Sequence, residues 1–277
     1  MENDKIKEHV KKGYGKIAKF SNLSNSISFK SGCCNPDAIV NSVSKKSGYS
    51  QKELTSAPSG SNLGLGCGNP TALASIKKGE TILDLGSGAG FDSFLAAKET
   101  GETGKVIGVD ITPEMIEKAK LNAQKGNYKN VEFIEGDIEN LPIADNSIDL
   151  VISNCVINLS NQKEQVFKEI YRVLKPGGRM MISDIVRSKE LPKTITESVV
   201  GHIACLAGSI QKDIYIDIIK KAGFVDINIE NESTFPIGLL LTDPIAASFI
   251  NISNTTHEKV KNISNSIASV SIRAYKK

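Results

Sequence analysis

A chain of 277 residues with 40% hydrophobic side chains can bury a sizeable core, but with 5% aromatics and no Trp that core must lean on Ile, Leu and Val. The 34 basic and 31 acidic residues leave a net charge of +3, which excludes the strong electrostatic footprint of a nucleic-acid binder. No run approaches the length that spans a bilayer and no signal peptide precedes the charged start MENDKIKEHVKK, so a cytoplasmic protein without a membrane partner is expected.

Residues 1–30 read as a helix followed by a polar Ser/Asn-rich loop, with the basic stretch KEHVKKGYGK as a solvated helix face. Residues 31–70 hold two glycine-rich punctuations, SGCCNPDA and SNLGLGCGNPTA, and read as a cap over the entrance to the fold. From about residue 72 to 187, strand and helix patterns alternate, the sign of a parallel doubly wound sheet. Strands are predicted at 80–85, 104–109, 131–135, 148–153 and 178–184, and helices at 90–100, 113–126 and 161–174. Pro113 sits at a helix start behind Thr112 as N-cap. Residues 188–210 read as a mixed loop and helix carrying His202 and Cys205. DIYIDIIKKAGF reads as a helix ended by Gly223, and VDINIE and ASVSIRAY as the closing strands. The division predicted is an N-terminal helix with cysteine-bearing cap loops (1–70), a cofactor-binding core (71–187), and a substrate-side and C-terminal α/β segment completing the sheet (188–277), in a monomer.

The chemistry begins at ILDLGSGAGFD, where an apolar run ends in Asp84 and the turn Gly86, Ser87, Gly88, Gly90 opens a helix. Glycines let a ligand lie against bare backbone, and the helix N-terminus offers free N–H groups. Asp110 closes the next run, KVIGVD, at the offset where an acid grips ribose hydroxyls. A dinucleotide site would read G-x-G-x-x-G, and Asp84 would repel its pyrophosphate; the acid suits a ligand with an ammonium and a sulfonium. The pattern resembles motif I of class I S-adenosylmethionine methyltransferases. VEFIEGDIENLPI, NSIDLVISN and RVLKPGGRMMISD agree with it in order and spacing. The resemblance implies a Rossmann-like sheet that holds S-adenosylmethionine with Asp84, the 86–90 turn, Asp110 and Ile111, and meets the adenine near Asp137 and Ile138. Met115 either packs on the ribose or adenine or is a plain helix methionine; Asn154 either orients the methionine end or ends its strand.

The cysteines point to a substrate. Structural disulfides are improbable among Cys33, Cys34, Cys67, Cys155 and Cys205 of a cytosolic protein, and the spacings match no zinc template. Cys155 follows VISN at the carboxyl end of the fourth strand, the edge where open α/β sheets bind ligands. Cys67 lies between glycines in LGLGCGNP and reads as an accessible thiol on an exposed loop. Thiolates select soft acceptors, and three of them could hold trivalent arsenic with its lone pair toward a methyl sulfonium. NLGLGCGNP, LDLGSGAGFD, VISNCVINLS and HIACLAGS together resemble the arsenite S-adenosylmethionine methyltransferase family, over roughly residues 10–230. The resemblance implies methylation of arsenite and then methylarsenite, with Cys67, Cys155 and Cys205 as arsenic thiolates. It also implies an N-terminal cysteine, Cys33 or Cys34 with Cys34 favoured, that pairs with Cys67 and is reset by thioredoxin or glutathione. Two other functions compete. A methyltransferase for a carbon or oxygen nucleophile of quinone or sterol type shares the cofactor features but leaves the cysteines unexplained. A thiol-based metalloid sensor explains the cysteines but not the cofactor turn.

Overall fold

Seven strands form one sheet in the computed structural model, which describes residues 2–26, 36–191, 196, 205–234 and 266–277. They are β1 (Thr81–Leu85), β2 (Lys105–Asp110), β3 (Val131–Glu135), β4 (Ile148–Asn154), β5 (Leu174–Arg187), β6 (Phe224–Thr234) and β7 (Ile267–Lys276). Their order is β3-β2-β1-β4-β5-β7-β6. β1 to β5 are parallel, and β7 inserts antiparallel between β5 and β6. The helices are α1 (Glu2–Ser26), α2 (Pro36–Lys46), α3 (Gln51–Ser56), α4 (Pro70–Leu73), α5 (Phe91–Thr100), α6 (Pro113–Lys125), α7 (Lys163–Val173) and α8 (Lys212–Lys221).

The central strands are apolar on both sides because both faces are covered. Successive residues alternate between two cores: Leu83 and Leu85 join Val151, Phe167, Ile170 and Ile182, whereas Ile82 joins Ala96, Val106, Leu150 and Ile152. The chain builds outward from β1 through β2 to β3, then returns to lay β4 on the other side of β1. That reversal opens a crevice beyond the carboxyl ends of β1 and β4, the usual ligand position in such sheets.

The predicted strands and helices of the core recur within a few residues, with three informative differences. First, α1 extends through Ser26, so much of the Ser/Asn-rich stretch is helical. Its basic side is solvated except at Lys7, which bonds Asp137 and Glu139; Lys11 and Lys19 pair with Glu135 and Glu114 but stay largely exposed, as does Lys12. Val10 is buried and Tyr14 reaches the crevice. Acids on the loops after β3 and on α6 attract the helix. Second, Pro-Gly-Gly does not separate α7 from the strand. β5 starts at Leu174, and Lys175 and the three residues after it form an irregular bulge between the pairings Ile148↔Leu174 and Leu150↔Arg179, with Gly177 at φ 75°. Third, Thr112 precedes α6 at the N-cap position, but its side chain makes no capping bond.

Arg179 fixes the cap to the sheet. It donates to Ala74 O and Ser75 O just beyond α4, and pairs with Glu80 at 2.7 Å, both side chains nearly buried. No helix among the described residues is long and apolar enough to cross a membrane.

The glycine turn is legible position by position. A Cβ on Gly86 (φ 66°) would lie 2.4 Å from the Val156 side chain, and one on Gly90 (φ 95°) 2.7 Å from Phe94. A Cβ on Gly88 (φ 52°) would meet nothing within 4 Å. Gly86→Ala is therefore expected to cost about 2–4 kcal/mol, combining left-handed strain with overpacking, whereas Gly88→Ala costs only the strain, about 1–2 kcal/mol. Urea unfolding of the two variants checks the contrast.

Candidate active site

The turn after β1 is closed onto β2. Gly86 N and Ser87 N both donate to Val109 O, at 2.8 and 3.1 Å. Asp110 at the end of β2 accepts from Gly88 N at 2.9 Å and from Thr112 N at 2.8 Å. Asp84 at the end of β1 accepts from Ser93 Oγ at 2.5 Å. These contacts bring Asp84, Gly86, Ser87, Gly88, Asp110, Ile111, Asp137, Ile138 and Asn154 to the wall of one cavity.

Two residues expected at the cofactor do not line the cavity. Met115 is fully buried inside the fold and lies off the cavity wall. Gly90 also lies off the wall; it is the left-handed N-cap of α5, with Phe94 and Phe133 filling the space beside it. In its place the wall carries Tyr49 and Asp92, which spacing did not single out. Tyr49 donates to Asp92 Oδ1 at 2.6 Å.

Asp84, Asp92 and Asp110 give the cavity a negative wall. Burial, with Asp92 beside it, holds Asp84 well above the usual carboxylate range. Burial pushes Asp92 up to about 6, although hydrogen bonds from Tyr49 and Asn154 pull it down. Burial raises Asp110 too, against the bonds from Thr112 and Gly88. Lys7 is the one basic side chain among the lining residues, and it is held by Asp137 and Glu139. Such a wall fits an ammonium and a sulfonium and disfavours a pyrophosphate. Ser87 Oγ, buried on the same wall without a partner, is a ready hydrogen-bonding group for the ligand.

The thiols lie on the far side. Cys155 follows β4 at φ 64°, lines the cavity and shares a buried cluster with Cys67, Cys205, Ile185, Leu206 and Ile267. Cys205 is also left-handed, at φ 59°, and donates its thiol to Cys155 O at 3.2 Å. Tyr14 of α1 lies 4.0 Å from Cys205 Sγ. The Cys67 loop is not exposed: Cys67 is 8% accessible. Without side chains on Gly66 and Gly68 the loop lies directly on Asn154 and Ser183, where a Cβ would come within 2.5 and 2.6 Å. Cys67 and Cys155 are joined by a disulfide across 88 residues, with Cα atoms 6.0 Å apart. This corrects the expectation that the described cysteines are unpaired, and the partner of Cys67 here is Cys155. The loop's close approach brings the two sulfurs together. Cys33, Cys34 and His202 lie outside the described residues.

Beneath the sulfurs sits Asp184, a residue the sequence did not single out. A carboxylate oxygen lies within 4.8 Å of both Cys67 Sγ and Cys155 Sγ, and Tyr215 donates to the carboxylate at 2.9 Å. Burial pushes Asp184 up to about 6 and Lys163, with which it interacts, down to about 8.

Comparison with known proteins places the chain in a family. The methyltransferase domain family matches residues 76–223. The chain is 49% identical over 210 residues to an arsenite methyltransferase of Halobacterium salinarum, covering 75% of this chain and 54% of that one. It is 34% identical over 238 residues to an arsenite methyltransferase of Aquipseudomonas alcaligenes, covering 83% and 65%. The crystal structure of CrArsM, an arsenic(III) S-adenosylmethionine methyltransferase from Chlamydomonas reinhardtii, superposes with a TM-score of 0.61 at 33% identity, over 88% of this chain and 74% of that one. The chain belongs to the arsenite methyltransferase family. It spans just over half the length of the Halobacterium relative and about two thirds of the Aquipseudomonas one.

Two outcomes follow for this family member's cavity. Asp110→Ala is expected to weaken S-adenosylhomocysteine binding by about 1.5–3 kcal/mol, roughly 10- to 150-fold, the value of a charge-assisted hydrogen bond. Calorimetry on the two proteins measures the loss. The second concerns pH. Only ionised Asp92 attracts a cationic amino group, and its pKa is raised to about 6. Affinity for the same ligand is therefore full above pH 6 and falls as the pH drops through about 6. Asp92→Asn should bind more weakly at neutral pH and show a flatter profile.

Proposed function

We propose that this chain methylates trivalent arsenic, first arsenite and then methylarsenite, in the reducing cytoplasm. The observation that carries the reading is the meeting of Cys67, Cys155 and Cys205 in one buried cluster whose middle member also lines the acid-walled cavity. A quinone or sterol methyltransferase would have no use for that cluster, and a sensor would have no use for the cavity.

Asp84, Asp92, Asp110, Ser87 and the glycine turn are the residues that would hold S-adenosylmethionine. When bound, it supplies an electrophilic methyl group on a cationic sulfur. The chain's part is to present arsenic. Each thiol replaces one hydroxide: a sulfur–arsenic bond forms, an arsenic–oxygen bond breaks, and the thiol proton leaves with the hydroxide as water. Three such exchanges leave arsenic with a lone pair and no proton to remove, so no general base acts on it. Rate enhancement then comes mainly from fixed geometry, which can supply roughly 7–11 kcal/mol of a barrier. Cys155 and Cys205 are held for this by left-handed backbone, a conformation that costs about 1–3 kcal/mol per residue and persists only where the surroundings enforce it.

Methylation formally oxidises arsenic by two electrons. Two thiolates closing to a disulfide return them. The bond between Cys67 and Cys155 supports this, because it shows two sulfurs of the cluster within bonding reach. Cys34 with Cys67 is the pair that the family resemblance implies. Thioredoxin or glutathione would reset either.

Cys155→Ser and Cys205→Ser are each expected to abolish methylation of both substrates. Methylarsenite has already lost one position to carbon and can take only two thiolates: Cys155 at the cavity wall, and Cys205, which the family resemblance implies. Cys67→Ser should lose arsenite turnover and retain methylarsenite turnover. Mass spectrometry of methylated products, with a thiol and S-adenosylmethionine present, reads all three. Normal turnover by Cys155→Ser would overturn the thiolate mechanism, and tight arsenite binding by the parent protein without turnover would favour the sensor. Protein whose Cys67–Cys155 bond is intact should not take up arsenite until it is reduced.

A further inference from the structure

Asn154 is the last residue of β4, and one amide serves both halves of the site. Its Oδ1 accepts from the backbone N–H of Cys67 at 3.0 Å and of Gly68 at 3.3 Å. Its Nδ2 donates to Gly68 O at 2.9 Å, to Asp92 Oδ2 at 3.0 Å and to the Tyr49 hydroxyl at 2.9 Å. Tyr49 in turn donates to Asp92. The oxygen end thus grips the loop that carries Cys67, and the nitrogen end also grips the pair of residues that faces the cavity.

The chemistry of this position is narrow. It needs two acceptor lone pairs on one side and, on the other, two N–H groups shared among three acceptors, which a primary amide supplies. A carboxylate would keep the bonds from the loop's N–H groups but lose the one to Gly68 O and face Asp92 with like charge. The amide also fills the space that a side chain on Gly66 would take, since a Cβ there would lie 2.5 Å from Nδ2. The loop's resting place is therefore set by where this amide points.

We propose that Asn154 is a positioning residue that links occupancy of the methyl-donor cavity to the placement of Cys67 for capture of arsenic. A cationic amino group settling against Asp92 holds that carboxylate ionised and fixed. Asp92 then holds Nδ2, and the same amide holds the N–H groups of Cys67 and Gly68. The link is reciprocal, so each ligand tightens the other by the same factor. It rests on the reading of Cys67 as an arsenic thiolate.

The test is calorimetry on fully reduced protein, with arsenite titrated in the absence and presence of saturating S-adenosylhomocysteine. The parent protein is expected to bind arsenite at least fivefold more tightly when the nucleoside ligand is present. In Asn154→Ala that ratio should fall to about one, while affinity for methylarsenite, which does not need Cys67, stays within about twofold of the parent. Asp92→Asn leaves the bonds to the loop in place. With the nucleoside ligand raised until direct titration shows that it saturates this variant, arsenite should bind it no more tightly than without the ligand. This second variant keeps the question open to refutation if the alanine variant does not fold. An unchanged ratio in either variant, or a ratio of one in a parent protein that binds arsenite well, overturns the link and leaves the arsenic reading standing. Failure of the reduced parent to bind arsenite at all overturns the arsenic reading, and this inference falls with it.

Discussion

Parallel pairing of β1 with β4 sets Leu85 opposite Ser153, and both strands end within a residue of that pair. Everything chemical in the molecule grows from those two exits. One exit is the glycine turn, where Gly86 must lack a side chain because Val156 from the other exit already occupies the space. The other is Asn154, the last residue of β4, and Cys155, whose left-handed backbone turns the chain away instead of extending the strand. Acid chemistry belongs to the first exit and sulfur chemistry to the second. Their separation is one strand spacing, about 5 Å, which is short enough for a methyl group to pass between ligands held on either side.

The acids carry a cost that a ligand would relieve. Asp84, Asp92 and Asp110 are desolvated together, and each is pushed toward its neutral form by burial, with neighbouring carboxylates adding to the push on Asp84. Interior carboxylates normally have a cation within reach. Here the nearby lysine of α1 is paired with Asp137 and Glu139 at the rim, so the wall stays negative. Poor self-solvation of this kind marks a binding surface, because the missing charge is the one that the ligand brings.

How much of this could be read in the chain depends on sequence distance. Asp84, the glycine turn and Asp110 fall within 27 residues, and their roles follow from a strand, a turn and a strand in fixed order. The sheet was readable for the same reason. Cys67 and Asn154 are 87 residues apart, and nothing local says that the backbone of one meets the amide of the other. Tyr49 and Asp92, 43 apart, were missed on the same ground. The misreadings have physical causes. Lys7 of α1 looked solvated because its acidic partners, Asp137 and Glu139, lie about 130 residues downstream. Met115 sits on an amphipathic helix, where periodicity gives the buried side but not whether it borders a cavity. Cys67 looked exposed because glycines usually mark surface turns, whereas here their lack of side chains lets the loop sink onto the sheet.

That loop explains why the carboxyl-terminal strand belongs to the site. Ser269 on β7 donates to Cys67 O at 2.7 Å, across 202 residues. Two residues on, Ser271 bonds Ser183 of β5 at 2.9 Å, directly beneath Gly68. Cys67 is thus held by its N–H from β4 and by its carbonyl from β7, with β5 as the floor. Antiparallel insertion of β7 beside β5 places small hydroxyl side chains where a larger residue would lift the loop away. The sheet extends beyond its cofactor-binding half to build the platform on which the Cys67 sulfur rests, within bonding reach of Cys155.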